Sequence, residues 1–464
     1  MKAMMIFILA LLLFTCLWAD DITGDWFGKL DIHGQQLRVV FHITAAGDSL
    51  TATLDSPDQG AAGLHVSSVS FDNSILRIAY DAISMTYTGE LKAGVIRGTF
   101  TQAGYDFPLD LQREAIEKPV LNRPQEPKEP FPYRIEEVQF TNTDAGIRLA
   151  GTLTLPKKKG TFPAVVMITG SGQQDRDEEI FGHKPFKVIA DDLTRNGIAV
   201  LRFDDRGFGA SEGDAKTATS LDFASDVKSA VAFLKSRPDI RSIGLLGHSE
   251  GGIIAPLVAV DSPDVRFIVL LAGPGLRGDK LLLLQEELIW RVDETDEKKI
   301  NQQLSINRNI FKLVLEINDT DSLRTAILTF LQQSVTDSLF QLKEGFDKEA
   351  LFDQLTNSMV SPWMRWFLRH DPAPVLQQVR CPVLALFGSN DLQVPAKENL
   401  SALEAALKQD GNQDYTVKEY PDLNHLFQQS ETGHPDEYVK IEQTISPEVL
   451  KDISAWIRSR TGLK

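Results

Sequence analysis

Ser242–Pro256 reads "SIGLLGHSEGGIIAP". A polar Gly-His-Ser-Glu-Gly-Gly run stands between an apolar segment that reads as a buried strand and an apolar segment that reads as a helix. Gly247-His248-Ser249-Glu250-Gly251 has the G-x-S-x-G spacing, and the strand before it and helix after it are the context of a nucleophile elbow. In so sharp a turn the serine backbone is strained. Gly247 and Gly251 leave room for neighbouring backbone, and Gly252 lets helix and strand approach closely. The expectation is that Ser249 stands at the start of a helix with its hydroxyl exposed.

A serine hydroxyl is a weak nucleophile until a base takes its proton, and the base needs a carboxylate to orient it. In a strand-turn-helix protein of this kind the chain order is serine, acid, histidine. "VLALFGSNDLQVP" puts Asp391 just past a later buried strand, and "YPDLNHLF" puts His425 in the loop after "YTVKEY". His434 also lies downstream but sits in a polar stretch further from a strand end, so His425 is preferred. His248 and Asp205 precede the positions the order requires. Asp422 is too close in sequence to His425 to be a strand-end acid. The tetrahedral intermediate needs two donors. The backbone N–H of Glu250 is one, and the loop "VVMITGSGQQDRDE" offers that of Ser171, with Gly172 as the alternative.

The rest of the chain sorts around this centre. The 464 residues carry a formal charge of −16 and are 42% hydrophobic, which fits a globular protein of two or three domains. No basic block appears, so a nucleic-acid partner is not expected. Residues 1–19, "MKAMMIFILALLLFTCLWA", read as a secretory signal, too short for a confident membrane span. The protein is therefore expected in the periplasm or outside the cell, with no stable membrane insertion after cleavage. Cys16 follows "LFT", a poor version of a lipoprotein box, so simple export ranks above lipidation. Only Cys381 then remains, and the fold rests on apolar cores rather than disulfides.

Residues 20–115 alternate with period two, as in "LRVVFHIT" and "ILRIAY", separated by turn residues. A small antiparallel β module, barrel or sandwich, is expected there. Residues 116–132 are rich in proline and read as a linker. From 133 to 464 continuous Val, Ile and Leu runs alternate with helical patterns, which argues for a mostly parallel sheet flanked by helices. The alternation breaks at about 279–371, where only helical patterns appear. A cap over the C-terminal ends of the strands is expected, with Trp363, Trp366 and Phe367 as an aromatic pocket wall or as core.

Asp204, Asp205 and Arg206 read as a loop-locking network, and Arg176 pairs by default with Asp175 or Asp177, with a substrate carboxylate as the alternative. No H-E-x-x-H or cysteine cluster suggests a metal, and no Gly-rich nucleotide loop follows a strand, so neither metal nor cofactor is expected.

In this order, "GSGQQDRDE", "FDDRGFGASEG", "GHSEGG", "FGSNDLQVP" and "DLNHLF" resemble the α/β-hydrolase superfamily, specifically secreted bacterial esterases and serine-aminopeptidase-like hydrolases. The resemblance covers about 133–464 and is silent on the β module. It implies a triad of Ser249, Asp391 and His425. Thr169 stands where many relatives carry His. The expected activity is hydrolysis of small carboxylic esters through an acyl-enzyme. The alternatives are a peptidase for short peptides and an inactive protein whose β module binds a ligand through aromatics such as Trp26 and Phe27.

Overall fold

The period-two segments of the N-terminal part pair into one antiparallel sheet rather than two packed sheets. In this computed structural model, residues 22–463 are described, apart from 33–34, 48, 60, 84, 103–104, 118–120, 294–295, 335–347 and 410. The signal segment, residues 1–19, lies outside the described residues. The chain forms two compact units, dividing between Pro119 and Val120.

The first unit contains β1 (Gly24–Ile32), β2 (Gln35–Ala46), β3 (Ser49–Ser56), β4 (Ala61–His65), β5 (Ser68–Asp72), β6 (Ile75–Tyr80), β7 (Met85–Lys92), β8 (Val95–Gln102) and β9 (Tyr105–Gln112), in the order β4-β3-β2-β1-β9-β8-β7-β6-β5. Along β7 buried and exposed residues alternate without a break, as a sheet with one covered face requires. Trp26, Phe41 and Tyr87 fill the core of this unit. The Tyr87 hydroxyl donates to the carbonyl of Leu109 at 3.1 Å, and the Trp26 indole to that of Ile22 at 2.8 Å, so neither buried polar atom is orphaned. Trp26 is thus core, and Phe27 is half-buried.

The second unit is built on an eight-stranded sheet. Its strands are β10 (Tyr133–Asn142), β11 (Ile147–Pro156), β12 (Phe162–Ile168), β13 (Ala199–Phe203), β14 (Ile240–His248), β15 (Val265–Leu271), β16 (Val383–Gly388) and β17 (Tyr415–Tyr420), in the order β10-β11-β13-β12-β14-β15-β16-β17. The β10-β11 hairpin joins antiparallel, and all pairings from β13 to β17 are parallel. Every residue of β12, β13 and β16 is buried, which explains their unbroken apolar sequences. The connecting helices are α1 (Pro185–Arg195), α2 (Ser220–Lys235) and α3 (Gly251–Asp261).

Between β15 and β16 the described residues form helices and no strand. These are α4 (Gly278–Asp293), α5 (Glu297–Glu316), α6 (Thr320–Ser334), α7 (Lys348–Val360), α8 (Pro362–Arg369) and the short α9 (Ala373–Leu376). They bury an apolar cluster of their own that includes Ile310, Phe311, Leu323, Ile327 and Phe352. Helix α8 starts where it does because the Ser361 hydroxyl accepts the N–H of Met364 and Pro362 occupies the first turn. Two further helices, α10 (Ala396–Gln409) and α11 (Pro447–Thr461), complete the unit.

The proline-rich stretch is fastened rather than free where it is described. Arg123 donates to the carbonyls of Phe181, Val439 and Ile441, and Gln125 to that of Ile445. Proline excludes this segment from the sheet and from a helix, and its side chains supply the attachment instead.

Candidate active site

Because β12, β14, β16 and β17 run parallel, the loops leaving their C-terminal ends gather at one edge of the sheet. Those loops carry Ser171, Ser249, Asp391 and His425.

The turn after β14 is held by sterics. Ser249 has φ 52°, in the left-handed region, and its N–H donates to the carbonyl of Leu271 at 2.9 Å. A Cβ on Gly247 would lie 2.0 Å from the carbonyl oxygen of Gly251, and one on Gly251 would lie 2.2 Å from that of Ile168. Neither position accepts a side chain without moving main chain. Helix α3 starts immediately afterwards, so the serine sits at its N-terminal end.

Asp391 follows β16 and His425 follows β17. Asp391 Oδ1 accepts the N–H groups of Gln393 and Val394, each at 2.8 Å, which fixes the carboxylate. Its Oδ2 lies 2.8 Å from His425 Nδ1. A carboxylate there draws the ring proton to Nδ1 and leaves Nε2 as the nitrogen with the lone pair. His425 and Ser249 both line one cavity of about 240 Å³. His434 stands elsewhere, accepting the N–H of Asp436 through Nδ1, and the N–H of Asp422 donates to the Ser389 hydroxyl oxygen.

The loop after β12 closes another side of the cavity. The N–H of Gly170 is occupied by Glu178 Oε1 at 2.7 Å. Among the described residues the N–H groups of Ser171 and Glu250 donate to no protein acceptor, so both are free for a ligand oxygen. Thr169 donates its hydroxyl to Asp205 at 2.8 Å, and Asp205 also accepts the N–H of Gln174 at 2.9 Å. Burial pushes the Asp205 carboxyl up to about 8 despite those two bonds.

The charged residues around these loops lock the fold. Arg176 does not pair with Asp175 or Asp177. Its guanidinium grips both oxygens of Asp204, at 2.9 and 2.8 Å, and reaches Glu137 at 2.5 Å. Asp177 is taken instead by Arg202. Arg206 pairs with Asp226 at 2.7 Å. The three residues of "DDR" therefore each hold a different distant partner rather than one another.

The aromatic set on α8 divides. Trp363 and Phe367 line the Ser249 cavity, stacked at a centroid distance of 4.9 Å, together with Leu281, Leu282, Gln285 and Gln393. Trp366 does not. One position back from Phe367, it is turned away by about 100°, lines a separate groove with Arg365 and Arg369, and stacks on His370 at 4.4 Å.

Two features of the site lie outside the residues that sequence reasoning selected for it. The Glu250 side chain is buried and accepts the Ser220 hydroxyl at 2.5 Å and the Trp363 indole N–H at 2.9 Å, joining the elbow to α2 and to the cap. Burial raises its pKa, and hydrogen bonds from Ser220, Trp363 and Ser171 oppose that rise. Glu178 and His248 form a second histidine–carboxylate pair, with His248 Nδ1 2.9 Å from Glu178 Oε1. The sequence offered Glu178 only as one acid among several in "GQQDRDEE". Cys381 is half-buried, and burial pushes its thiol up to about 11, as for an inert packing residue.

A strained serine between β14 and α3, an Asp–His pair lining the same cavity and two N–H groups without a protein acceptor are the arrangement of a serine hydrolase on the α/β-hydrolase fold. The family model described as "Serine aminopeptidase, S33" matches residues 184–304. The chain is 28% identical over 330 residues to Esterase EstD of Thermotoga maritima, covering 70% of this chain and 70% of that protein. It is 35% identical over 136 residues to Thiohydrolase aneE of Aspergillus aculeatus, covering 29% of this chain and 40% of that one. Among solved structures it is similar to the Pyrococcus furiosus esterase Pf2001, at 16% identity and a TM-score of 0.43, covering 74% of this chain and 99% of that one.

Proposed function

We propose that this chain is an exported carboxylesterase that hydrolyses small, uncharged carboxylic esters through Ser249, His425 and Asp391. The observation that carries the reading is that a serine at φ 52° and the Asp391-bound His425 share one cavity. In the reaction, Ser249 Oγ attacks the ester carbonyl carbon while its proton passes to His425 Nε2. The oxyanion is received by the N–H groups of Glu250 and Ser171. The alkoxide leaves with the proton from His425. A water then gives its proton to His425, attacks the acyl carbon and frees the acid and the serine. Asp391 keeps the imidazole oriented and stabilises it while it is protonated.

Among the described residues no Lys or Arg lines the cavity and the His248 ring there is taken by Glu178, which leaves no free cation to balance a substrate carboxylate or phosphate. Its walls are Trp363, Phe367, Leu281 and Leu282, which suit an apolar acyl or alkyl group. Both lining glutamates are engaged, Glu250 with Ser220 and Trp363, and Glu178 with His248 and Gly170. Neither is left to hold a peptide's amino terminus, which favours esters over peptides although the matching family model describes aminopeptidases. The name of the Thermotoga relative points the same way. The one-Lys, apolar N-terminal stretch ending at Ala19 supports export.

The test is a p-nitrophenyl ester series from acetate to decanoate, run beside aminoacyl p-nitroanilides, for wild type and Ser249→Ala. Turnover of the short and medium esters, abolished by the substitution, is expected. Faster cleavage of the anilides would replace this reading with the peptidase one, and equal inertness of both proteins would favour a binding role.

A further inference from the structure

His248 lies beside the nucleophile in sequence and behind the base in space, and the mechanism above does not use it. Its ring is 6% exposed, and Glu178 is 4% exposed. Nε2 is 3.0 Å from the main-chain carbonyl oxygen of His425. A carbonyl only accepts, so Nε2 carries a hydrogen. Nδ1 faces Glu178 Oε1, which also receives the N–H of Gly170. A carboxylate oxygen already accepting one N–H favours the ionised acid, and the proton between the pair then resides on Nδ1. His248 is on this account an imidazolium paired with a carboxylate. The His248 and His425 rings are 4.7 Å apart, centroid to centroid.

We propose that His248 and Glu178 are positioning residues for the hydrolysis: the pair fixes the main chain of His425 and the oxyanion loop at Gly170 against Ser249. The proposal rests on the serine-hydrolase reading above. The geometry is continuous. From His425 the chain of bonds runs through its carbonyl to His248, through the ring to Glu178, and on to Gly170, whose own Cβ position would lie 3.2 Å from Ser249 Cβ. Base, nucleophile and oxyanion loop come from three separate elements, and this pair ties them together.

The ionisable groups around the ring are Glu178 from the loop after β12, Asp391 from the loop after β16 and His425 from the loop after β17. On the adjacent strand β15, the residue opposite is Leu271. Burial lowers the His248 pKa, but the charge and hydrogen bond of Glu178, the His425 carbonyl and the charge of Asp391 outweigh it, and the net direction is upward.

Glu178→Gln tests the link between the ring and the loop. Gly170 N–H and His248 Nδ1 share Glu178 Oε1, so an amide oxygen there still accepts from Gly170, but a neutral His248 that keeps its Nε2 hydrogen on the His425 carbonyl has none on Nδ1 to donate to it. The expected result is a plateau kcat lowered about 5-fold or more, with KM changed by less than about threefold. His248→Leu removes the anchor as well, and kcat is expected to fall about 10- to 100-fold with KM changed by less than about threefold. Both are measured on the full-length protein with the ester of best turnover, with thermal unfolding recorded alongside. A folded Glu178→Gln with kcat within about twofold of wild type overturns the role given to Glu178. A folded His248→Leu with kcat within about twofold of wild type overturns the positioning part. Should His248→Leu fail to fold, the plateau kcat and the KM of Glu178→Gln decide. Ser249→Ala, run in parallel, tells the two readings apart: activity surviving in it removes the serine mechanism itself, whereas activity lost in it with both other variants unchanged removes only this proposal.

Discussion

The elbow around Ser249 and the cap helix α8 face the same cavity, yet they are specified in different ways. At the elbow, main chain meets main chain: the Gly252 Cβ position would lie 2.5 Å from Gly273 Cα, and those of Gly247 and Gly251 lie still closer to backbone oxygens. Only glycine fits, whatever surrounds the turn. On α8 the question is which side chains of an aromatic helix turn inward, and for Trp363 a partner 113 positions away settles it. Trp363 turns toward Glu250, and Trp366 stacks on His370 on another side. Local sterics therefore write the nucleophile into the sequence, while tertiary packing writes the pocket.

That contrast can be broken at the elbow first. Gly247→Ala is expected to have the larger effect, because its methyl group would lie inside the contact distance of the Gly251 carbonyl and the main chain of the turn must move. A loss of about 3 kcal/mol or more, with kcat/KM down more than about 100-fold, is the expected outcome in denaturant unfolding and ester assays. A variant with wild-type stability and rate would show that the turn is softer than its geometry implies.

The cap offers the smaller, sharper test. Trp363→Ala removes a cavity wall and the indole donor to Glu250, and kcat/KM for the longer esters is expected to fall about 10-fold. Trp366→Ala alters the other groove, and the same constant should stay within about twofold of wild type. Equal losses in the two variants would mean that the α8 faces are not divided as described.

How far the sequence could be read follows from the same distinction. Continuous apolar runs marked the strands of the second unit because β12, β13 and β16 are covered on both faces, and period-two alternation marked the first unit because its sheet is covered on one. Asp391 and His425 could be picked as partners because each follows a strand, and the structure places them 2.8 Å apart. Arg176 could not be paired correctly, since Asp175 and Asp177 are its neighbours in sequence while Asp204 is brought to it only by β13. Glu178 and His248 were invisible as a pair for the same reason: 70 residues separate them, and only the parallel order of β12 and β14 puts the two loops together. The barrel-or-sandwich choice for the first unit turned on strand order, which alternation does not encode.

The account stands on Ser249 as an activated nucleophile, and reaction with a fluorophosphonate probe measures that without any assumption about substrate. Intact-mass and peptide analysis should find one adduct per chain, on the peptide containing Ser249, with labelling that slows in His425→Ala. No adduct on the folded protein, or an adduct at another serine, would contradict it.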